Sequence, residues 1–430
     1  MPSALLLGCL LCARAARADV PPTDAAVVQE SGVQIVEVTR GELPHGLVHE
    51  QFTLQLDDTP NGKIRLHHIV RGSTPWEQHH TLAAVMLLHG DFSSFASNFA
   101  PIALDPDAAA EGLAPWLALR SLDVWGFDRR WALTPAGGDQ SDYGRMSFTQ
   151  EVGDVAQALT VARALRRGSG AGRGGPMHLI GFSRGGFLAY AAAAADAARA
   201  PAERQVRTLV PFDIWAELAP EDTAARDVMC RSAAAERELI TQGLLSSDNG
   251  FFIELGRLAQ SAPDEPSPLD TSGLTNRELL LLTAAQTYQF FAPTERYHLA
   301  AGSIAGGVVT ALSESPEVVI AQWFARAAPL QSLLEQADSD GMWCGDGNGP
   351  SGPDLSQIHV PLFYVGAAGG YGEHGVFSTT RVSSTDVTSL VVRRFGADQV
   401  EADFGHGDLL FAKDAPKLVW EPLLKWLKWR

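Results

Sequence analysis

The chain has 430 residues, 46% of them hydrophobic and 19% charged, which is enough for a large core and an inserted unit. Its 33 Lys and Arg stand against 50 Asp and Glu, a formal net charge of −17. That balance favours solubility and argues against nucleic acid or an anionic membrane surface as a partner. No internal apolar run is long enough for a stable membrane span.

Residues 1–18 read as a signal peptide. "MPSALLLGCLLCARAARA" has an apolar core at 4–12 and the small-x-small ending Ala16-Arg17-Ala18, so cleavage is expected before Asp19. The chain would then be exported, to the periplasm or outside the cell. Leu6-Leu7-Gly8-Cys9 also resembles a lipoprotein box, which makes a lipid anchor the minor alternative. Cys9 and Cys12 would leave with the signal. The remaining pair, Cys230 and Cys344, fits either one disulfide or two buried thiols.

Downstream, "QFTLQLDD" (51–58) and "KIRLHHIVRG" (63–72) are joined by Thr-Pro-Asn-Gly and predict an antiparallel hairpin at a sheet edge. Short apolar runs follow at 83–90, 122–128, 177–183, 207–213 and 360–366. Their hydrophobicity is continuous rather than alternating, as strands buried on both faces require. Stretch 150–167 is apolar at 152, 155, 159 and 162, one face of a helix, and the Ala-rich 185–200 is also helical. The pattern is α/β, with a mostly parallel central sheet and helices on both faces. From 215 to 357 there are helical patterns without clear strands, and the alternation resumes at 358. The expected division is a core in two parts, 19–214 and 358–430, with a helical cap inserted at 215–357.

One turn in this pattern points to chemistry. Gly181-Phe182-Ser183-Arg184-Gly185, within "HLIGFSRGG", matches G-x-S-x-G between a strand and a helix. A sharp strand-to-helix turn leaves no room for Cβ atoms beside the serine, which accounts for the glycines. The serine then sits at a helix N-terminus, where main-chain N–H groups stabilise a developing oxyanion.

With "LLHGDFSSFASNFA", "LAPWLALRSLDVWGFDRR" and "DFGHGDLLFAKDAPKLVWEPLLKWL", this elbow resembles the α/β-hydrolase family, most nearly its acid-lipase (gastric-lipase-like) group. The likeness covers about 82–213 and 358–430 and leaves out the cap, so no substrate class is inherited. It implies an α/β-hydrolase fold and a serine esterase or lipase that cleaves carboxylic esters, with no cofactor and no metal. The partner expected is a small-molecule or lipid ester. Ser183 would be the nucleophile and His406, in "FGHGDLL", its base, in the family's order of nucleophile, acid and histidine. Backbone N–H groups of Arg184 and Asp91 would hold the oxyanion, and His89 would shape the loop around it. Relatives supply an aspartate after the strand that here reads "VPLFYVG", yet Gly366-Ala367-Ala368-Gly369-Gly370 contains no carboxylate. Asp213, ending "RTLVPFD", is the expected acid, with Glu373 in reserve. The other reading of Asp213 is a helix N-cap. A peptidase or aminopeptidase of the same fold, or a non-catalytic binding protein, stays open as an alternative.

Two further patterns suggest metals and lack the ligands. His67-His68 and His79-His80 are strand neighbours that point to opposite faces, with no carboxylate or cysteine at ligand spacing. "DSDGMWCGDGNG" (338–349) has Met342 where a calcium loop needs oxygen, and reads as an ordinary loop.

Overall fold

Among the described residues ten strands form one sheet, and its central strands send alternate side chains into two separate cores. The computed structural model describes residues 16–17, 31–72, 81–100, 112–168, 174–290 and 293–430. The signal-peptide reading, apart from the strand residues Ala16–Arg17, and His79-His80 lie outside the described residues. Strands β1 (Gln34–Leu43), β2 (Leu47–Gln55) and β3 (Lys63–Arg71) are successive antiparallel neighbours. Strands β4 (Ala84–Leu88), β5 (Asp123–Asp128), β6 (Met177–Phe182), β7 (Val206–Phe212), β8 (Leu362–Ala367) and β9 (Val387–Val392) are parallel. The order is β1-β2-β3-β5-β4-β6-β7-β8-β9, with Ala16–Arg17 pairing beside β1. The mostly parallel central sheet with helices around it is the one expected, but the 51–58 and 63–72 hairpin is not at the sheet edge, because β1 pairs outside it.

Met86, Leu88, Trp125, Phe127 and Leu209 enter one core, covered by α1 (Phe148–Gly168) and α2 (Arg184–Ala197). Val85, Leu87, Val124, Val210 and Phe212 enter the other, against helices Leu113–Ala118 and Glu421–Leu427. Filling both faces explains the unbroken apolar runs, since every residue of β4 and β5 is buried and on β7 only Arg207 is exposed.

Between β7 and β8 the chain leaves the sheet and forms mainly helices. They include α3 (Thr223–Thr241) and α4 (Leu333–Cys344), which Cys230 and Cys344 join by a disulfide across a separation of 114 residues. The sequence pattern offered no strands here, and the structure corrects it. Ser246–Asp248 pairs with Leu330–Ser332, and Gly302–Ala305 pairs with Val308–Leu312. Strands this short hold too few alternations to register as a period of two. Stretch 338–349 is likewise only partly loop, because its first seven residues complete α4 before Gly345 ends it in the left-handed region, φ 70°.

Candidate active site

β6 ends at Phe182, and α2 begins at Arg184 with only Ser183 between them. Ser183 takes φ 56° and ψ −135°, a backbone conformation that L residues seldom adopt. Its neighbours make that turn feasible. A Cβ on Gly181 would stand 2.1 Å from the Gly185 carbonyl oxygen, and one on Gly185 would stand 2.4 Å from the His89 carbonyl oxygen. Ser183 N–H donates to the Phe212 carbonyl at 2.8 Å, which fastens the elbow to β7. The side chain of Ser183 lies on the wall of a cavity of about 510 Å³.

The loop after β4 passes the same cavity. Gly90 N–H donates to Asn98 Oδ1 (2.9 Å), and Phe92 N–H donates to Gln331 Oε1 (2.9 Å). Asp91 N–H, between them, has no acceptor among the described residues. His89 supports this loop from behind. Burial and the Arg129 charge push its imidazole down to about 3, so it is neutral at ordinary pH. Its Nε2 accepts Arg129 N–H (3.2 Å), which leaves Nδ1–H to donate to the Gly90 carbonyl (2.9 Å).

His406 comes from the segment after β9 and shares the cavity wall with Ser183. Its ring stacks on Phe182, with centroids 4.5 Å apart, and is flanked by Tyr297 and Tyr371. His406 Nδ1 lies 2.7 Å from Asp213 Oδ2, with both groups buried. Asp213 sits just past β7 at φ 47°, and its own N–H donates to the Val365 carbonyl at 2.7 Å. Its carboxylate also accepts N–H groups from Ala367 (2.8 Å), Gly372 (2.9 Å) and Tyr371 (3.1 Å). The glycine-rich stretch without a carboxylate is therefore the cradle for one that arrives from the neighbouring strand. At Gly370 the fit is tightest, since an added Cβ would stand 2.0 Å from Asp213 Oδ2.

Glu373 is not part of this arrangement. It lies in the first turn of helix Gly372–Thr379, 66% exposed, and faces Arg393 at 3.4 Å. Nor is Asp213 the N-cap of the helix that follows it, since Asp222 holds that place before α3.

The side chain of Arg184 has a part that sequence reasoning missed. It is buried, bonding Asp91 Oδ2 (2.8 Å), Asp340 Oδ1 (3.0 Å) and Ser339, so it ties the elbow both to the loop after β4 and to α4. Burial raises the Asp91 carboxyl, but Arg184 and Arg129 outweigh it and hold the group below its ordinary range. The partners of His67 and His68 were missed too, because adjacent strands rather than local sequence supply them. His67 Nε2 meets Asp128 Oδ2 (2.9 Å), and Asp128 Oδ1 in turn accepts Phe95 N–H (2.7 Å) just beyond the loop after β4. His68 lies between Glu50 (3.0 Å) and Asp123 (2.8 Å). No group of three His, Cys, Asp or Glu among the described residues has the arrangement of a metal site. A second hollow, of about 580 Å³ beside Leu82, Arg207 and Trp429, holds no serine or histidine.

No protein-family model matches the chain, and no curated protein matches its sequence. Among solved structures, a putative lipase from Sulfolobus solfataricus superposes with a TM-score of 0.62 at 15% identity, covering 92% of this chain and 99% of that one. This chain has the α/β-hydrolase fold. Two other neighbours give lower TM-scores. A soluble variant of monoglyceride lipase from Saccharomyces cerevisiae gives a TM-score of 0.47 at 11% identity, over 86% of this chain and 92% of that one. A thioesterase domain from the curacin biosynthetic pathway gives 0.41 at 14%, over 89% and 99%. These neighbours do not single out the gastric-lipase-like group.

Proposed function

We propose that the protein is a serine hydrolase that cleaves carboxylic esters through an acyl-enzyme on Ser183, with the 215–357 insertion as its cap and residues 1–18 as its export signal. The observation that carries this reading is the buried 2.7 Å contact between His406 and Asp213, on a histidine that shares one cavity with Ser183. Asp213 accepts a proton-bearing Nδ1, so Nε2 of His406 is left as the basic nitrogen. That nitrogen takes the Ser183 proton as the hydroxyl attacks the ester carbonyl. Negative charge develops on the carbonyl oxygen, and the N–H groups of Arg184 and Asp91 receive it. Each such donor is worth about 3–4 kcal/mol in the transition state. Collapse of the intermediate expels the alcohol, which takes its proton from His406. Water, deprotonated by the same histidine, then releases the acid. The strained turn at Ser183 and the cradle around Asp213 hold these groups in place before substrate arrives, which is where enzymes gain most.

Ser183→Ala is expected to abolish hydrolysis of short 4-nitrophenyl acyl esters while the protein stays folded. Turnover at the native rate in that variant would reject the assignment.

A further inference from the structure

The Asp91 N–H can serve an oxyanion only if the peptide that carries it is held at one angle. Peptide groups are planar, so the Gly90 carbonyl and the Asp91 N–H point in opposite directions. His89 Nδ1–H donates to that carbonyl at 2.9 Å and holds the plane from the side of the sheet. The next peptide is held from two sides. Ser93 Oγ–H donates to the Asp91 carbonyl (2.8 Å), and Phe92 N–H donates to Gln331 Oε1 (2.9 Å), 239 residues further along the chain. The Phe92 carbonyl accepts Ala328 N–H at 2.8 Å. Both main-chain polar groups of Phe92 are therefore taken by the segment between β7 and β8. Phe92 needs that support, because it sits at φ 49°, in the left-handed region that residues other than glycine seldom adopt. Such a conformation persists where the surroundings fix it.

Gln331 does more than accept one bond. It is fully buried, and its Nε2 donates to Asp91 Oδ1 (2.7 Å) and to Glu335 Oε2 (2.7 Å). A main-chain N–H at one end and two carboxyl oxygens at the other fix which end of the amide is which. Asp91 Oδ2 in turn bonds Arg184 Nε at 2.8 Å. The two residues whose N–H groups are assigned to the oxyanion are thus tied to each other by their side chains, and Asp91 is tied to Gln331. Gln331 itself is not among the residues that line the cavity, so it acts through Asp91 and Phe92 rather than on substrate.

We propose that Gln331 is a positioning residue, through which the segment between β7 and β8 sets the angle of the Asp91 N–H and completes the oxyanion site. The inference rests on the serine-hydrolase reading above and gives that segment a part in the chemistry besides covering the site. Without the amide, Phe92 N–H and the Asp91 carboxylate each lose a buried partner, and the loop after β4 is no longer held at its strained turn. A donor aimed at developing charge matters in the transition state far more than in the bound ester. Its misplacement therefore lowers kcat and leaves KM nearly as it was.

Gln331→Met, similar in length and without these bonds, tests this with 4-nitrophenyl butyrate as substrate and 1,1,1-trifluoroheptan-2-one as inhibitor. Ser183 Oγ adds to the carbonyl carbon of that ketone, the hydroxyl proton passes to His406 Nε2, and the carbonyl oxygen becomes an oxyanion. Its Ki therefore reads the oxyanion site without turnover. Sites are counted by fluorophosphonate labelling, so protein that fails to fold drops out of kcat. In the variant, kcat per labelled site is expected to fall about a hundredfold with KM within about twofold of wild type. Ki should rise by the factor by which kcat/KM falls. Gln331→Asn keeps the buried amide but is one methylene too short to reach both Phe92 and Asp91. It should show the same pattern, and it carries the test if Gln331→Met does not fold. Unchanged kcat per site and unchanged Ki would overturn the role of Gln331 and leave the serine-hydrolase reading standing. A raised KM with kcat retained would overturn it too. Wild-type protein that neither hydrolyses the ester nor takes the label would overturn the serine-hydrolase reading, and the inference with it.

Discussion

Asp213 is the residue on which the site turns, because its position was legible while its surroundings were not. The sequence contained a strand ending in Asp and, where relatives carry the acid, five residues without a carboxylate. That Ala367 in this stretch, with Tyr371 and Gly372 just after it, wraps Asp213 with N–H groups follows only from the pairing of β7 with β8. Asp213→Asn is expected to cut kcat by about 10⁴-fold through loss of the productive His406 tautomer, with little change in melting temperature. Glu373→Gln should retain wild-type kcat, and the reverse pair of results would transfer the role to Glu373. Gly370→Ala would force the carboxylate away from His406 and should lower kcat by about a hundredfold or more. Wild-type kinetics in that variant would show the cradle to be looser than described. Arg184 was legible only as a backbone position. Its side-chain partners, Asp91 and Asp340, lie 93 and 156 residues away, and no local pattern announces them.

Among the elements, those buried on both faces were the ones the sequence announced. The runs at 83–90 and 177–183 contain β4 and β6, whose residues are all buried. Strands β1 and β9 went unread because they are half-exposed, with mixed polar residues, "QIVEVTRGEL" and "VTSLVV". Their pairing is imposed by a neighbour already in place rather than by their own pattern. The disulfide belongs to the same scale, since it decides how α3 and α4 stay together above the sheet. By chain entropy a bridge closing a loop this long stabilises by about 4–5 kcal/mol. Reduction, or Cys230→Ser with Cys344→Ser, should therefore lower the denaturation midpoint substantially. Mass spectrometry of the oxidised protein should find these two residues linked. Two free thiols with unchanged stability would contradict the link.

Across the whole molecule, the acidic balance and the buried titrating groups make stability depend on pH in a definite direction. Burial lowers His68, but the hydrogen bonds it donates to Asp123 and Glu50 outweigh it and raise the ring to about 9. A group raised on folding contributes fully below its unfolded value, near 6.5 for histidine, and loses that contribution as pH climbs through the folded value. Glu236 and Glu335, raised to about 9 and about 8, act with the same sign, because the unfolded chain releases their protons first. His49, His89 and His178 are lowered to about 3, chiefly by burial, and oppose this only below pH 6.5. Melting temperature should thus fall steadily from pH 6.5 to pH 9. A flat or rising profile over that window would mean that these networks do not hold their protons as described.

Covalent labelling with a fluorophosphonate tests the proposed chemistry most directly, since it asks whether Ser183 is activated without requiring the natural substrate. The folded wild-type protein should take up one equivalent, mapped by peptide mass spectrometry to Ser183, and His406→Ala should slow that labelling by orders of magnitude. Well-folded protein that remains unlabelled, or that is labelled elsewhere, would contradict the reading of Ser183, His406 and Asp213 as a working triad and leave a binding protein built on the α/β-hydrolase fold.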